Sequence, residues 1–170
     1  IYDFAGSGSI SDICRYNNKL VIAGNFTSID GVSANNIAQW DGTTWSALGS
    51  GISANPACVM AVYNNELYVA GKLSSAGGNA VNNIARWNGT SWSSVGGGVT
   101  GSCPNGVRDL LAYNGKLYMV GDFIQVGLVT TGNVAMWNGS QWIGLELAHN
   151  DSFVQCIEAY DNHIYVGTFS

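Results

Sequence analysis

The six tryptophans of this chain fall in three copies of one motif, Trp-x-Gly-x-x-Trp, at Trp40 to Trp45, Trp87 to Trp92 and Trp137 to Trp142. Trp40 and Trp87 lie 47 residues apart, Trp87 and Trp137 lie 50 apart. Self-similarity at a period near fifty means an array of one supersecondary unit, and no other property of the sequence limits the fold as much. It also directs the search for function. Recurring residues in such arrays hold the scaffold together, and binding chemistry sits where the copies differ.

A second motif precedes the first in each unit: Tyr16-Asn17-Asn18-Lys19-Leu20, Tyr63-Asn64-Asn65-Glu66-Leu67, Tyr113-Asn114-Gly115-Lys116-Leu117 and Tyr160-Asp161-Asn162-His163-Ile164. Each leads into a short apolar run closed by glycine, at Gly24, Gly71, Gly121 and Gly167, the last one residue early. A polar loop follows the first three. Then Asn36-Ile37-Ala38-Gln39, Asn83-Ile84-Ala85-Arg86 or Asn133-Val134-Ala135-Met136 enters the tryptophan motif.

These units read as short β-prone runs between turn signals, with no segment of helical period. The third predicts a strand over Val107 to Tyr113, a tight turn at Asn114-Gly115 and a second strand over Leu117 to Val120. A third strand is expected over Asn133 to Trp137, a turn at Asn138-Gly139 and a fourth strand over Gln141 to Leu145. Equivalent turns fall at Asn17-Asn18, Asn64-Asn65, Asp41-Gly42 and Asn88-Gly89. Two consecutive hairpins make a four-stranded antiparallel sheet of about fifty residues, which buries both faces only when stacked around an axis. The fold class expected is therefore all-β, a β-propeller present as a partial array. Residues 1–9 read as the end of a preceding blade, 10–53, 54–100 and 101–148 as full blades, and 149–170 as the first half of another. Trp40, Trp45, Trp87, Trp92, Trp137 and Trp142, with Tyr16, Tyr63, Tyr113 and Tyr160, are read as packing residues between blades.

Composition excludes several function classes. Six basic against eleven acidic residues give a net charge of -5 without a basic cluster, so nucleic acid is not an expected partner. No apolar stretch approaches the roughly 18 residues of a membrane-spanning helix, and no membrane insertion is expected. Opening at Ile1 without a start methionine, the chain reads as a processed or excised piece. Only 10% of residues are charged; 23 glycines and many Asn, Ser and Thr point instead to numerous tight turns. The four cysteines, Cys14, Cys58, Cys103 and Cys156, lack zinc-site spacing. Cys58 and Cys103 occupy matching Pro-containing stretches. They are candidates either for a disulfide in an oxidising compartment or for small buried apolar side chains.

The pattern Tyr-Asn-Gly-x-Leu-Tyr-x-x-Gly, followed by Asn-x-Ile-Ala-x-Trp-Asn-Gly-x-x-Trp-x-x-Leu-Gly, resembles kelch-like, galactose-oxidase-type propeller repeats of secreted proteins. It is most similar to those in large surface or secreted proteins of Bacteroidetes, many exported by type IX secretion. Fungal cortical polarity-marker proteins carry a similar repeat. The resemblance implies a secreted or cell-surface propeller segment acting in adhesion, as a protein- or glycan-binding or spacer module. Secretion machinery or other surface proteins are its implied partners. The alternative is part of a carbohydrate-active or oxidase propeller whose catalytic residues lie elsewhere.

Chemistry within the chain is sparse. Asp41-Gly42-Thr43-Thr44-Trp45 is similar to the Asp-box of sialidase propellers, but Asn88 and Asn138 replace the aspartate in the other copies, which points to turn chemistry. Arg15, Arg86 and Arg108 fall at non-equivalent places, unlike a carboxylate-clamping cluster, and His149 and His163 do not form a copper site. No catalytic residue, cofactor or metal is expected. Asp12, Asp109 and Glu158 lie near the expected axis, either as convergent carboxylates for a cation or sugar or as solvated channel lining. The sequons at Asn25, Asn88, Asn138 and Asn150 are glycan candidates in a eukaryotic secreted protein. Binding is expected at the loops that vary between copies, Thr27 to Asn35, Ser74 to Asn82 and Ile124 to Gly132.

Overall fold

A computed structural model of the protein describes residues 8–53, 58–100, 106–147 and 153–169. Its first repeat contains β1 (Gly8–Tyr16), β2 (Lys19–Phe26), β3 (Ser28–Ile29), β4 (Val32–Ser33), β5 (Ile37–Trp40) and β6 (Trp45–Ala47). The second contains β7 (Cys58–Tyr63), β8 (Glu66–Gly71), β9 (Ser75–Ala76), β10 (Asn79–Ala80), β11 (Ile84–Trp87) and β12 (Trp92–Ser94). The third contains β13 (Val107–Tyr113), β14 (Lys116–Gly121), β15 (Gln125–Val126), β16 (Val129–Thr130), β17 (Val134–Trp137) and β18 (Trp142–Leu145). A fourth begins with β19 (Phe153–Tyr160) and β20 (His163–Phe169).

Each complete repeat is one antiparallel sheet, in the orders β1-β2-β5-β6, β7-β8-β11-β12 and β13-β14-β17-β18. The first strands, β1, β7, β13 and β19, lie side by side in sequence order, and the later strands of each sheet extend away from them. This is the blade arrangement of a β-propeller, with the first strands innermost. β1 already includes Gly8 and Ser9, paired with Phe26 and Asn25, two residues ahead of the boundary read at residue 10.

The turn between the first two strands needs positive φ at both central residues, and the sequence supplies residues that tolerate it. Asn17 and Asn18 have φ of 47° and 60°, Asn64 and Asn65 49° and 60°, Asn114 and Gly115 51° and 67°. The tryptophan turns differ from a two-residue hairpin. Trp40 pairs directly with Trp45, leaving four residues in the loop, and only Gly42 among them has positive φ. The Asp41 carboxylate holds this loop, accepting the amides of Thr43 and Thr44, each at 2.8 Å. Asn88 and Asn138 do the same through Oδ1. Aspartate and asparagine interchange here because an acceptor oxygen is all the loop requires.

Asn133 is not the first residue of a strand, as the sequence suggests, but a left-handed residue at φ 68° ahead of β17. Asn36 and Asn83 take the same conformation at 65° and 62°. The side chain of Asn36 joins three segments: Oδ1 accepts the Phe26 amide at 3.2 Å and Nδ2 donates to the Ile52 carbonyl at 2.7 Å.

The core is a series of layers between blades. One layer sets Tyr16, Val21, Ala23 and Leu48 of the first blade against Met60, Leu67, Val69, Trp87 and Trp92 of the second. The next sets Tyr63, Tyr68 and Val95 against Leu117, Met119, Trp137 and Trp142. Both faces of a middle blade are covered, so β8 is buried from Leu67 to Gly71 without alternation, although its side chains alternate between layers.

Candidate functional site

Trp87, Trp92, Trp137, Trp142, Tyr63 and Tyr113 join neighbouring blades, whereas Trp40 and Trp45 pack within the first blade and Tyr160 is exposed. Within each motif the two tryptophan rings are tilted against each other, with centroids 5.2 to 5.4 Å apart. Trp92 Nε1 donates to the Leu48 carbonyl of the preceding blade at 2.9 Å, and Trp142 Nε1 to the Val95 carbonyl at 3.0 Å. The next residue in each case is a left-handed glycine, Gly49 or Gly96, lying directly under the ring pair. The tyrosines reach the other way. Tyr63 donates to the Gly115 carbonyl at 3.1 Å and Tyr113 to Asn162 Oδ1 at 3.3 Å, both in the turn of the following blade. The Tyr16 hydroxyl is buried without a partner.

The three variable loops are more ordered than their composition indicates. Each contains the small hairpin β3–β4, β9–β10 or β15–β16, rooted by a buried Ile29, Ala76 or Val126. The chain leaving one blade pairs with the hairpin of the next, Ile52 with Ala76 and Val99 with Val126. Only the tips project, and Leu128 at the third is 98% exposed.

The three carboxylates do not converge. Asp12 and Asp109 are equivalent, each four residues before the repeat tyrosine, but Glu158 lies two residues before Tyr160. Glu158 is exposed and accepts the Ala159 amide at 2.8 Å. Asp12 and Asp109 point sideways into the next blade. Asp12 Oδ2 accepts the Met60 amide at 2.6 Å, and Asp109 Oδ2 the Ile157 amide at 3.0 Å. Their Oδ1 atoms accept the amides of Ile13 and Leu110. Val59 and Cys156 take this place in the second and fourth blades.

A β-bulge accounts for what lies beside them. Register shifts between Ile10 and Asp12, Val107 and Asp109, and Val154 and Cys156 leave Ser11, Arg108 and Gln155 as extra, unpaired residues. A bulge re-aims the side chain it carries. Ser11, Arg108 and Gln155, with Cys58 at the equivalent place in the second blade, all line one cavity of about 380 Å³. Ser9, Ile10, Val59 and Val107 also line it. Ser11 and Gln155 are exposed, Arg108 is half-buried and Cys58 is buried.

Among the arginines, Arg15 bonds Asn18 at 3.3 Å, and Arg86 bonds Glu66 at 3.1 Å and Ser93 at 3.0 Å. No hydrogen bond or ion pair joins Arg108 to another described residue. Burial, reinforced by the charge of Asp12, pushes the Cys58 thiol up to about 11 and the Cys14 thiol up to about 12, so both are neutral at ordinary pH. Cys103, His149 and Asn150 lie outside the described residues, as does most of the stretch 1–9. The candidate pairing of Cys58 with Cys103 therefore has one partner outside the described structure. His163 is exposed and its Nδ1 lies 2.6 Å from the Asp161 carbonyl. Among the described residues no three His, Cys, Asp or Glu side chains gather as a metal site. None of the described helices is long and apolar enough to cross a membrane.

Sequence reasoning missed the cavity-lining set. Its signal was position: counting back five residues from the repeat tyrosines gives Ser, Cys, Arg and Gln, a non-repeating column beside repeating ones.

No curated protein matches the chain. Residues 16–39 match a family model described as a beta-propeller domain of unknown function, DUF5122. That segment runs from the repeat tyrosine through β2 and the side hairpin into β5. Together with the repeated four-stranded sheets, this establishes the chain as a β-propeller segment built from repeats.

Proposed function

We propose that this segment is a non-catalytic binding module of a secreted or cell-surface protein, engaging its ligand at the axial cavity. The observation that carries the reading is the convergence of Ser11, Cys58, Arg108 and Gln155, four non-repeating side chains at one repeating position, on an open cavity of about 380 Å³. Ligand cavities commonly fall in this size range, with an apolar lining and a few convergent polar groups. Most of the recurring residues are occupied in turns and in packing within or between blades. No nucleophile–base pair is found among the described residues of the cavity, where burial holds the Cys58 thiol neutral. A protein or glycan ligand fits a scaffold whose binding groups are set by four separate strands. The exposed hairpin tip at Leu128 offers a second contact region on the same rigid frame.

A glycan and peptide array probed with the full chain tests the reading, beside a panel of hydrolase and oxidase substrates. Binding without turnover is the expected result. Turnover abolished by replacing a cavity residue would overturn it. The surface assignment is tested separately, by protease shaving of intact cells of the source organism.

A further inference from the structure

We infer that the axial cavity binds a small hydroxylated monocarboxylate, of the sugar-acid kind, through the guanidinium of Arg108. The inference rests on the binding reading above and names its ligand class. Among the described residues that line the cavity Arg108 is the only one of a charged type, and it has no partner among the described residues, whereas Arg15 and Arg86 each have one. A guanidinium is a planar fork that matches a carboxylate through two parallel hydrogen bonds. In a chain of net charge -5, an unpaired cation in a cleft is a local exception in the field, and a cleft concentrates its attraction for anions.

The neighbours narrow the ligand further. Asp12 and Asp109 lie next to the bulges, but both carboxylates are occupied by backbone amides and neither lines the cavity. The buried Cys58 thiol is neutral, so it adds no opposing charge. One guanidinium, with no second cation among the described lining residues, suits a monoanion. A phosphate, carrying between one and two charges near neutrality, would be left under-compensated. Ser9, Ser11 and Gln155 offer hydrogen-bonding groups for hydroxyls, and Ile10, Val59 and Val107 supply an apolar wall. Arg108 is the bulged residue of β13, and Cys58 lines the cavity at the same place in the regularly paired β7.

The test is calorimetric titration of the full chain with galacturonate, galactose and inorganic phosphate as probes. Saturable galacturonate binding is expected, with galactose and phosphate at least tenfold weaker. Arg108→Met should weaken galacturonate at least tenfold, and Arg108→Lys should fall between the two. Because Arg108 has no partner among the described residues, R108M should melt with the wild type; if it does not, Gln155→Ala, at an exposed position, serves in its place with an expected several-fold loss. Failure of galacturonate to bind, equal binding of galactose, tighter binding of phosphate, or affinity unchanged in R108M would each overturn the inference. Conversion of galacturonate to a product, followed by NMR, would instead overturn the non-catalytic reading and leave the site standing.

Discussion

At the scale of the residue, the repeat is written in small groups that meet a neighbouring blade closely. Gly96 has φ 53°, and a methyl there would be driven into the Trp137 and Trp142 rings. Gly31 has φ 78° but open space around it. Gly31→Ala should therefore cost about 1 kcal/mol, the left-handed backbone penalty alone. Gly96→Ala adds overpacking and should cost about 3 kcal/mol or more by denaturant unfolding. Equal costs would mean that the ring pair is not packed as described. Asp41 gives a pH signature. The Thr44 amide, the Thr43 hydroxyl and the Thr43 amide hold its carboxyl well below the usual carboxylate range. A depressed folded value stabilises above the unfolded pKa of about 4, and the contribution fades as pH falls from there through the folded value. Asp41→Asn keeps the acceptor without the charge, as Asn88 and Asn138 do. It should flatten the fall in melting temperature below about pH 4, and an unchanged acid limb would refute the assignment.

At the scale of the element, the strands and their I′ turns were legible because the turn chemistry is local. Tyr-Asn-Gly dictates its hairpin whatever surrounds it. The side hairpins were not, since strands of two residues carry no period, and their order comes from buried Ile29, Ala76 and Val126 and from pairing with the preceding blade. The bulges were hidden for a related reason. Ser11, Arg108 and Gln155 share no side-chain chemistry, and no glycine marks them, so only the observed register reveals the extra residue. The neighbouring aspartates looked like axial carboxylates because sequence gives their place on the strand but not their direction. Their actual role predicts a stability effect. Asp12→Ala would leave the Met60 amide without its acceptor and should cost about 2 kcal/mol, as should Asp109→Ala. Val59→Ala, at the same register without a clamp, should cost less. Chemical denaturation of the three variants separates these outcomes.

At the scale of the whole molecule, the interfaces show what each blade expects of its neighbours. Tyr16 and Tyr63 are 3% and 4% exposed, but Tyr160 is 74% exposed. Met60, Leu110 and Ile157 are 5 to 8% exposed, but Ile13 is 49%. The first and fourth blades thus present surfaces that the middle blades bury, and such apolar patches favour association. The 170 residues by themselves should self-associate with rising concentration, with Tyr160→Asp lowering the mass seen by light scattering. A stable monomer at all concentrations would contradict open blade faces. The axial cavity belongs to this scale too. Its lining comes from four strands about fifty residues apart, and their convergence depends on the rotation between blades, which no single repeat encodes.

The alternation of Asp12, Val59, Asp109 and Cys156 has a mechanical consequence. Carboxylates tie the inner edges of the first and second blades and of the third and fourth, but no such tie crosses from β7 to β13. The outer part of that same junction is fastened by Trp142 to Val95. The inner part of that junction is joined instead by the Tyr63 hydroxyl on the Gly115 carbonyl and by apolar packing of Val59 and Ala61 with Val107 and Leu110. Cys58 and Val59 stand on one side of that junction, Val107 and Arg108 on the other. Alternate junctions of the array are thus riveted by carboxylates and sealed by apolar packing in between.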